Sequence, residues 1–229
     1  MIRHAVLLDL DGTLADTAPD LAAVLNALLA RRGRPPLPFA IARNEVSNGA
    51  VGMLKAAFGA TLEDAELEKL RQEFLQVYSD KVCINSIIFN GLGEILNKLD
   101  NYSLPWGIVT NKPRAMTEPL LVSLGIADRP RCVISGDRLA ERKPHPAPLR
   151  LAAQELGRSP QQCVYVGDAP RDIQAGRAAG MATIAAAYGY IRPSDNPYGW
   201  GADCVIRRPR KLLDALHGLA ADGGTHERH

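Results

Sequence analysis

Four short polar motifs carry the side chains of this chain that are best suited to chemistry. The first places two carboxylates two residues apart, at Asp9 and Asp11, directly before a glycine. Such a pair can hold Mg²⁺, which prefers oxygen ligands, or can divide into a nucleophile and an acid or base. Taken alone, the pair is more typical of a strand that ends in solvated aspartates.

The other three motifs add a hydroxyl, an amide, an ammonium group and two more carboxylates. Thr110 and Asn111 can donate hydrogen bonds to a phosphate group. Lys143 precedes two prolines, which keep its loop from becoming helical. Asp168 follows an apolar run, and Asp172 comes four residues later at the start of a predicted helix, where either could act only as a cap.

The motifs follow short apolar runs that are typical of buried parallel strands. These runs cover residues 5–8, 106–109, 132–134, 163–166 and 182–185, with 204–206 as a further edge strand. Helical patterns that stop at glycine lie between them. This order predicts an α/β fold with a doubly wound, Rossmann-like parallel sheet. Because ligands bind at the carboxyl ends of such strands, we expect a magnesium site facing a phosphate site there.

Residues 17–85 interrupt the alternation with an almost purely helical pattern. We interpret this segment as a helical cap domain inserted after the first strand, with hinges at 15–19 and 82–91. The α/β core then comprises residues 1–16 and 86–229.

Composition excludes several functional classes. Lys plus Arg number 27 and Asp plus Glu 25, a formal net charge of +2, and the chain contains no long basic run. A nucleic-acid partner is therefore not expected. The sequence has no leader pattern and no apolar stretch of about 18 residues, so we expect no membrane span. Four scattered cysteines are typical of a reducing compartment and predict a cytoplasmic protein. The expected assembly is a monomer or a homodimer.

Together, the four motifs, the sheet and the helical insertion resemble the haloacid dehalogenase superfamily, specifically its phosphatases with a helical cap. The resemblance implies that Asp9 is the nucleophile that forms an aspartyl-phosphate. It implies that Asp11 protonates the leaving oxygen and then activates water. An acid at position 11 also points to phosphate monoesters, because the dehalogenases of the superfamily lack it.

The resemblance also implies a phosphate site and a cofactor, Mg²⁺. Thr110 and Lys143 match the phosphate-binding residues, and Asn111 is the adjacent donor. Asp172 resembles a supporting carboxylate. Three groups match the metal ligands: Asp9, Asp168 and the backbone carbonyl of Asp11.

Two parts of the chain bear on the substrate, which we expect to be a small phosphorylated metabolite. Ser47, Asn48 and Gly49 open a cap helix and resemble the cap loop of phosphoglycolate phosphatases. Tyr190 lies in a turn-rich loop that resembles the matching loop of N-acetylmuramic acid 6-phosphate phosphatases of peptidoglycan recycling, where an aromatic ring could stack on a sugar. We favour the amino-sugar phosphate slightly over 2-phosphoglycolate.

Three alternative functions remain open at this level. A phosphomutase of the same superfamily would share all four motifs. A phospho-accepting receiver module also combines Asp, Thr and Lys around Mg²⁺, but it is about half as long and has no cap. A ligand-binding relative without catalysis is disfavoured because every chemical position is filled.

Overall fold

The computed structural model describes residues 5–79 and 83–222. The start of the second predicted hinge, Val82, lies outside these ranges. The strands of the described residues are β1 (Ala5–Leu8), β2 (Ala15–Asp16), β3 (Ile87–Ile88), β4 (Trp106–Val109), β5 (Cys132–Ile134), β6 (Cys163–Gly167), β7 (Ala182–Ala186) and β8 (Cys204–Ile206). Six of them form one parallel sheet in the order β5-β4-β1-β6-β7-β8, and the short strands β2 and β3 pair separately.

The α-helices of the described residues lie on the sheet or in the segment between β2 and β3. They are α1 (Ala18–Ala30), α2 (Phe39–Glu45), α3 (Gly49–Phe58), α4 (Asp64–Ser79), α5 (Leu92–Asn101), α6 (Arg114–Ser123), α7 (Ala147–Glu155), α8 (Pro170–Ala179) and α9 (Leu212–Asp222). Helix α8 ends at Gly180, whose φ of 85° is the left-handed conformation that glycine adopts without steric strain. The predicted doubly wound α/β fold is confirmed. No helix among the described residues combines the length and apolar character needed to cross a membrane.

The register of the sheet brings the first, second and fourth motifs to one edge. Leu8, the last residue of β1, lies opposite Ile108 on one side and Val166 on the other. Because all three strands run in the same direction, the chain leaves each of them at nearly the same height. The residues that follow therefore meet above the centre of the sheet.

Helices α1 to α4 pack around an apolar cluster of their own, separate from the two clusters that cover the sheet. Two side chains from elsewhere, Met116 and Tyr190, also belong to this cluster. The connecting segments pair as an antiparallel ladder, with Ala15 opposite Ile88, which the sequence did not predict. The buried carboxylate of Asp20 accepts hydrogen bonds from the backbone of the second segment, which ties it to the start of α1.

Candidate active site

A cavity of about 290 Å³ lies between the carboxyl edge of the sheet and helices α1, α3 and α4. The predicted residues Asp9, Asp11, Thr110 and Asn111 form part of its wall on the sheet side. Ser47, Asn48 and Gly49 lie on the opposite wall, together with apolar side chains of the helical segment. Other predicted residues lie behind the sheet-side wall as buried side chains: Lys143, Asp168 and Asp172.

Three buried carboxylates lie together at the centre of this edge. Oxygen atoms of Asp9, Asp168 and Asp172 all lie within 4.8 Å of one another. Burial raises the pKa of Asp9 to about 6, although the nearby Lys143 lowers it in part. Burial, followed by the charges of the other two carboxylates, raises the pKa of Asp168 to about 7. Buried hard oxygen donors that repel one another suit a divalent cation such as Mg²⁺.

The Asp168 carboxylate accepts hydrogen bonds from three other segments of the chain. Its Oδ2 accepts from the hydroxyl of Ser47 and from the backbone N–H of Tyr190, each across 2.9 Å. Its Oδ1 accepts from the Thr13 hydroxyl at 3.3 Å. These contacts fix the orientation of the Asp168 carboxylate. The backbone of Gly12 lies so close to this carboxylate that a side chain at position 12 would collide with it.

Lys143 is fully enclosed and faces more acceptors than it has protons. Its Nζ lies 2.9 Å from Oδ1 of Asp9 and 2.8 Å from Oδ1 of Asp172. It also donates to the carbonyl of Val109 at 3.1 Å and to the hydroxyl of Tyr165 at 2.8 Å. An ammonium group has three N–H donors. Lys143 therefore orients and neutralises the carboxylates in this structure.

Asn111 holds the loop that carries Lys143. Its amide nitrogen donates to the carbonyl of Lys143 at 3.0 Å, and its amide oxygen accepts from the N–H of the same residue at 3.1 Å. The hydroxyl oxygen of Thr110 accepts from the N–H of Lys112 at 3.1 Å. Because a hydroxyl can donate as well as accept, Thr110 keeps its proton for a ligand in the cavity.

Asp11 forms contacts that the sequence reasoning missed. Its carboxylate accepts from the hydroxyl of Thr17 at 2.6 Å and forms an ion pair with Lys112 at 3.1 Å. Burial alone would lower the pKa of Lys112, but the interactions of Lys112 with Asp11 and Tyr78 together outweigh burial, and the pKa lies above its ordinary value. The ammonium also lies 4.5 Å from the centre of the Tyr78 ring. Lys112 is the last residue of the second motif, but nothing in the sequence distinguished it from a surface lysine.

Tyr190 lies behind the cavity wall, with an exposed fraction of 2%. Its hydroxyl accepts from the backbone N–H groups of Thr17 and Ala18 at 2.7 and 3.0 Å and donates to Asp16 at 2.9 Å. The guanidinium of Arg43 lies 4.8 Å from the centre of its ring. Here the phenol satisfies the first N–H groups of α1, so stacking on a sugar would require the ring to leave this position.

A family model described as haloacid dehalogenase-like hydrolase matches residues 6–186. The chain belongs to the haloacid dehalogenase-like hydrolase family. Its relatives in this family include an N-acetylmuramic acid 6-phosphate phosphatase of Pseudomonas aeruginosa, which is 45% identical over 97% of this chain and 98% of its own length. A phosphoglycolate phosphatase of Xanthomonas campestris is 47% identical over 92% of this chain and 95% of its own.

Solved structures of the family share the fold. A Haemophilus somnus protein described as a predicted phosphoglycolate phosphatase superimposes with a TM-score of 0.83 at 27% identity, covering 94% of this chain and 98% of its own. The family likeness suggested by the four motifs is therefore confirmed. The assignment of individual residues to chemical roles stays a prediction.

Proposed function

We propose that this protein is a Mg²⁺-dependent phosphomonoesterase that acts through an aspartyl-phosphate on Asp9. The observation that carries the proposal is the environment of this carboxylate. Its Oδ1 accepts from the N–H of Leu10 at 2.8 Å and contacts Lys143 at 2.9 Å, and no described residue forms a hydrogen bond with Oδ2. One oxygen is thus held in place, and the other is available to attack phosphorus beside the cavity.

The reaction needs charge neutralisation more than it needs covalent chemistry. A carboxylate that attacks a phosphate dianion meets like-charge repulsion. Lys143 reduces this repulsion and favours the ionised form of Asp9. Asp11, on the wall of the same cavity, is the group we assign to protonate the leaving oxygen and later to activate water. Its contacts with Lys112 and Thr17 orient the carboxylate in the meantime.

We assign the metal site to Asp9, Asp168 and the backbone carbonyl of Asp11, with Asp172 in support. Both oxygens of Asp172 have partners, Lys143 on one side and the N–H of Ala169 on the other, which suits a supporting role. When bound, the cation supplies positive charge that offsets the nucleophile and the phosphate together.

The substrate we favour is N-acetylmuramic acid 6-phosphate. The helical side of the cavity is lined by apolar groups, among them Leu21, Val51, Met53 and Phe74. The buried side chains of Leu21, Met53 and Phe74 fit the methyl groups of an acetamido, lactyl-bearing sugar, whereas phosphoglycolate has no such groups. The cavity volume also suits a small metabolite and not a polymer. The Pseudomonas aeruginosa relative is named for this substrate.

Phosphoglycolate is the second candidate. Asn48 and Gly49, which resemble the cap loop of phosphoglycolate phosphatases, lie on the cavity wall. The Xanthomonas campestris relative carries that name.

We further propose that residues 17–85 act as a cap over a core formed by residues 1–16 and 86–229. The separate apolar cluster of helices α1 to α4 supports this division. We place the enzyme in the cytoplasm, because its four cysteines are free and suit a reducing compartment.

The decisive experiment replaces the nucleophile. Asp9→Asn should abolish Mg²⁺-dependent phosphate release from p-nitrophenyl phosphate, whereas Asp128→Asn, at an exposed position, should match the wild type. Retained turnover in Asp9→Asn would refute the assignment. For the substrate, a kcat/KM that favours phosphoglycolate over N-acetylmuramic acid 6-phosphate would reverse our preference.

A further inference from the structure

Arg171 is a cation on the cavity wall that the proposed reaction has not yet used. It lies in the fourth motif between Asp168 and Asp172, in the first turn of α8, and its side chain lines the cavity. Its Nε is buried and has no hydrogen-bond partner. Within the part of the chain that the structure describes, its guanidinium forms no hydrogen bond or ion pair. A buried donor without a partner is costly and calls for an explanation.

The neighbouring cations cannot easily serve a ligand. Each of the three protons of Lys143 already has an acceptor, with a fourth acceptor in reach, so a phosphate oxygen would have to displace one of them. Lys112 is paired with Asp11 and packs over Tyr78. Arg171 differs because its donors are directed at no carboxylate within ion-pair distance in the described structure.

The net charge of the site also indicates that Arg171 is available to bind an anion. Three carboxylates lie within 4.8 Å of one another beside Lys143. The three carboxylates, Lys143 and a bound divalent cation together carry no formal net charge. Arg171 then adds positive charge at the cavity wall that an incoming phosphate dianion meets, beside the more exposed Arg142.

We infer that Arg171 binds the phosphoryl group, donating from its guanidinium to oxygens of the substrate phosphate and of the product phosphate. The planar fork of arginine suits this task, because two N–H groups can reach two phosphate oxygens at once. The inference rests on the proposed function for the identity of the ligand. It adds a fourth phosphate-binding residue to the predicted set of Thr110, Asn111 and Lys143.

Binding of inorganic phosphate tests the inference without turnover. Titration calorimetry in the presence of Mg²⁺ compares the wild type, Arg171→Met and Arg171→Lys. The matched control is Arg177→Met, an exposed arginine on the same helix. Loss of charge-assisted hydrogen bonds should weaken phosphate binding by about tenfold to a hundredfold in Arg171→Met. Arg171→Lys should lose less, because it keeps the charge, and it also tests the inference if Arg171→Met does not fold.

Kinetics on two substrates complete the test. The kcat/KM of Arg171→Met should fall by the same factor for p-nitrophenyl phosphate and for phosphoglycolate, because both share the phosphoryl group. A loss confined to phosphoglycolate would overturn the inference and assign Arg171 to the second anion. Unchanged phosphate affinity with tighter Mg²⁺ binding would overturn it as well, because Arg171 would then only balance the carboxylates. If the wild type binds phosphate through Arg171 but releases none from any monoester, the proposed function fails and the inference stands.

Discussion

The hydroxyl of Ser47 donates a hydrogen bond to Oδ2 of Asp168 across 2.9 Å. The two residues are 121 positions apart in sequence, one in the helical segment and the other at the end of β6. A residue of the proposed cap therefore contacts a residue of the proposed metal site directly. Any change in the charge or coordination of Asp168 acts directly on a contact that holds the cap against the core.

Replacing Ser47 by alanine should weaken the contact between the helical segment and Asp168. A hydrogen bond to a charged group contributes about 1.5–3 kcal/mol. We expect Ser47→Ala to lower kcat/KM for small phosphate monoesters by about tenfold, because part of that free energy holds the wall of the cavity that carries Ser47 against Asp168. Ser47→Thr, which keeps the hydroxyl, should retain most of the activity. Equal kcat/KM values for wild type, Ser47→Ala and Ser47→Thr would show that the contact has no part in turnover.

The buried carboxylates should make the metal-free protein sensitive to pH. The pKa values of Asp9 and Asp168 are raised from an ordinary 3.8 to about 6 and about 7. Their contribution to stability is therefore complete below about pH 4 and is lost as the pH rises to about 7. In EDTA, the free energy of unfolding in urea should fall between about pH 4 and about pH 7 and change little above that range. The expected loss is on the order of 1 kcal/mol for each tenfold difference in proton affinity between the folded and unfolded carboxylate.

Two comparisons identify the source of this dependence. Asp168→Asn should reduce the fall, because the amide does not ionise. Mg²⁺ should restore stability at pH 8 in the wild type, because it binds the ionised carboxylates of the native state. A pH dependence of equal size in Asp168→Asn would assign the effect to other groups.

The sequence alone was sufficient to predict the strands of the parallel sheet, because each strand follows from a local pattern of apolar residues. The six apolar runs became the six strands of the parallel sheet, because a strand covered on both faces needs a continuous apolar stretch. The third strand in spatial order, β1, lies between β4 and β6, and this places Asp9 between Thr110 and Asp168. Strand order is set by crossovers and packing, so only the structure could show which motif lies at the centre.

Side-chain partners were harder to predict, because they depend on tertiary contacts between distant segments. Tyr165 reads as a core residue of a strand, yet its hydroxyl contacts Lys143. Tyr190 suggested a stacking surface, yet its hydroxyl lies at the start of α1. Arg171 occupies a position between two aspartates that gave no signal of its own. A residue type indicates which bonds a side chain can form, but not which atoms come within reach.

Removing the Tyr190 hydroxyl should destabilise the fold without harming the metal site. In Tyr190→Phe, the first N–H groups of α1 lose their acceptor, and Thr17 provides no side-chain cap to replace it. We expect a loss of about 1–3 kcal/mol in the free energy of unfolding. Tyr198→Phe is the matched control, because that side chain is 60% exposed. Mg²⁺ affinity should stay unchanged in both variants, since the contact from position 190 to Asp168 uses the backbone N–H. Wild-type stability in Tyr190→Phe would contradict this role.

Gly12 is the position where the smallest substitution should have the largest effect on the metal site. A Cβ atom there would lie 2.1 Å from Oδ2 of Asp168, and the φ of 84° is strained for any other residue. Either the carboxylate or the loop must move, and a backbone forced into this region costs about 1–3 kcal/mol. We therefore expect Gly12→Ala to lose both stability and Mg²⁺ affinity. Gly93→Ala is the control, because Gly93 lies in α5 with no atom near its Cβ position, and alanine favours the helix by about 1 kcal/mol. Calorimetric titration with Mg²⁺ should show weaker binding in Gly12→Ala and wild-type binding in Gly93→Ala. Wild-type affinity in Gly12→Ala would mean that Asp168 can bind the cation from a different orientation.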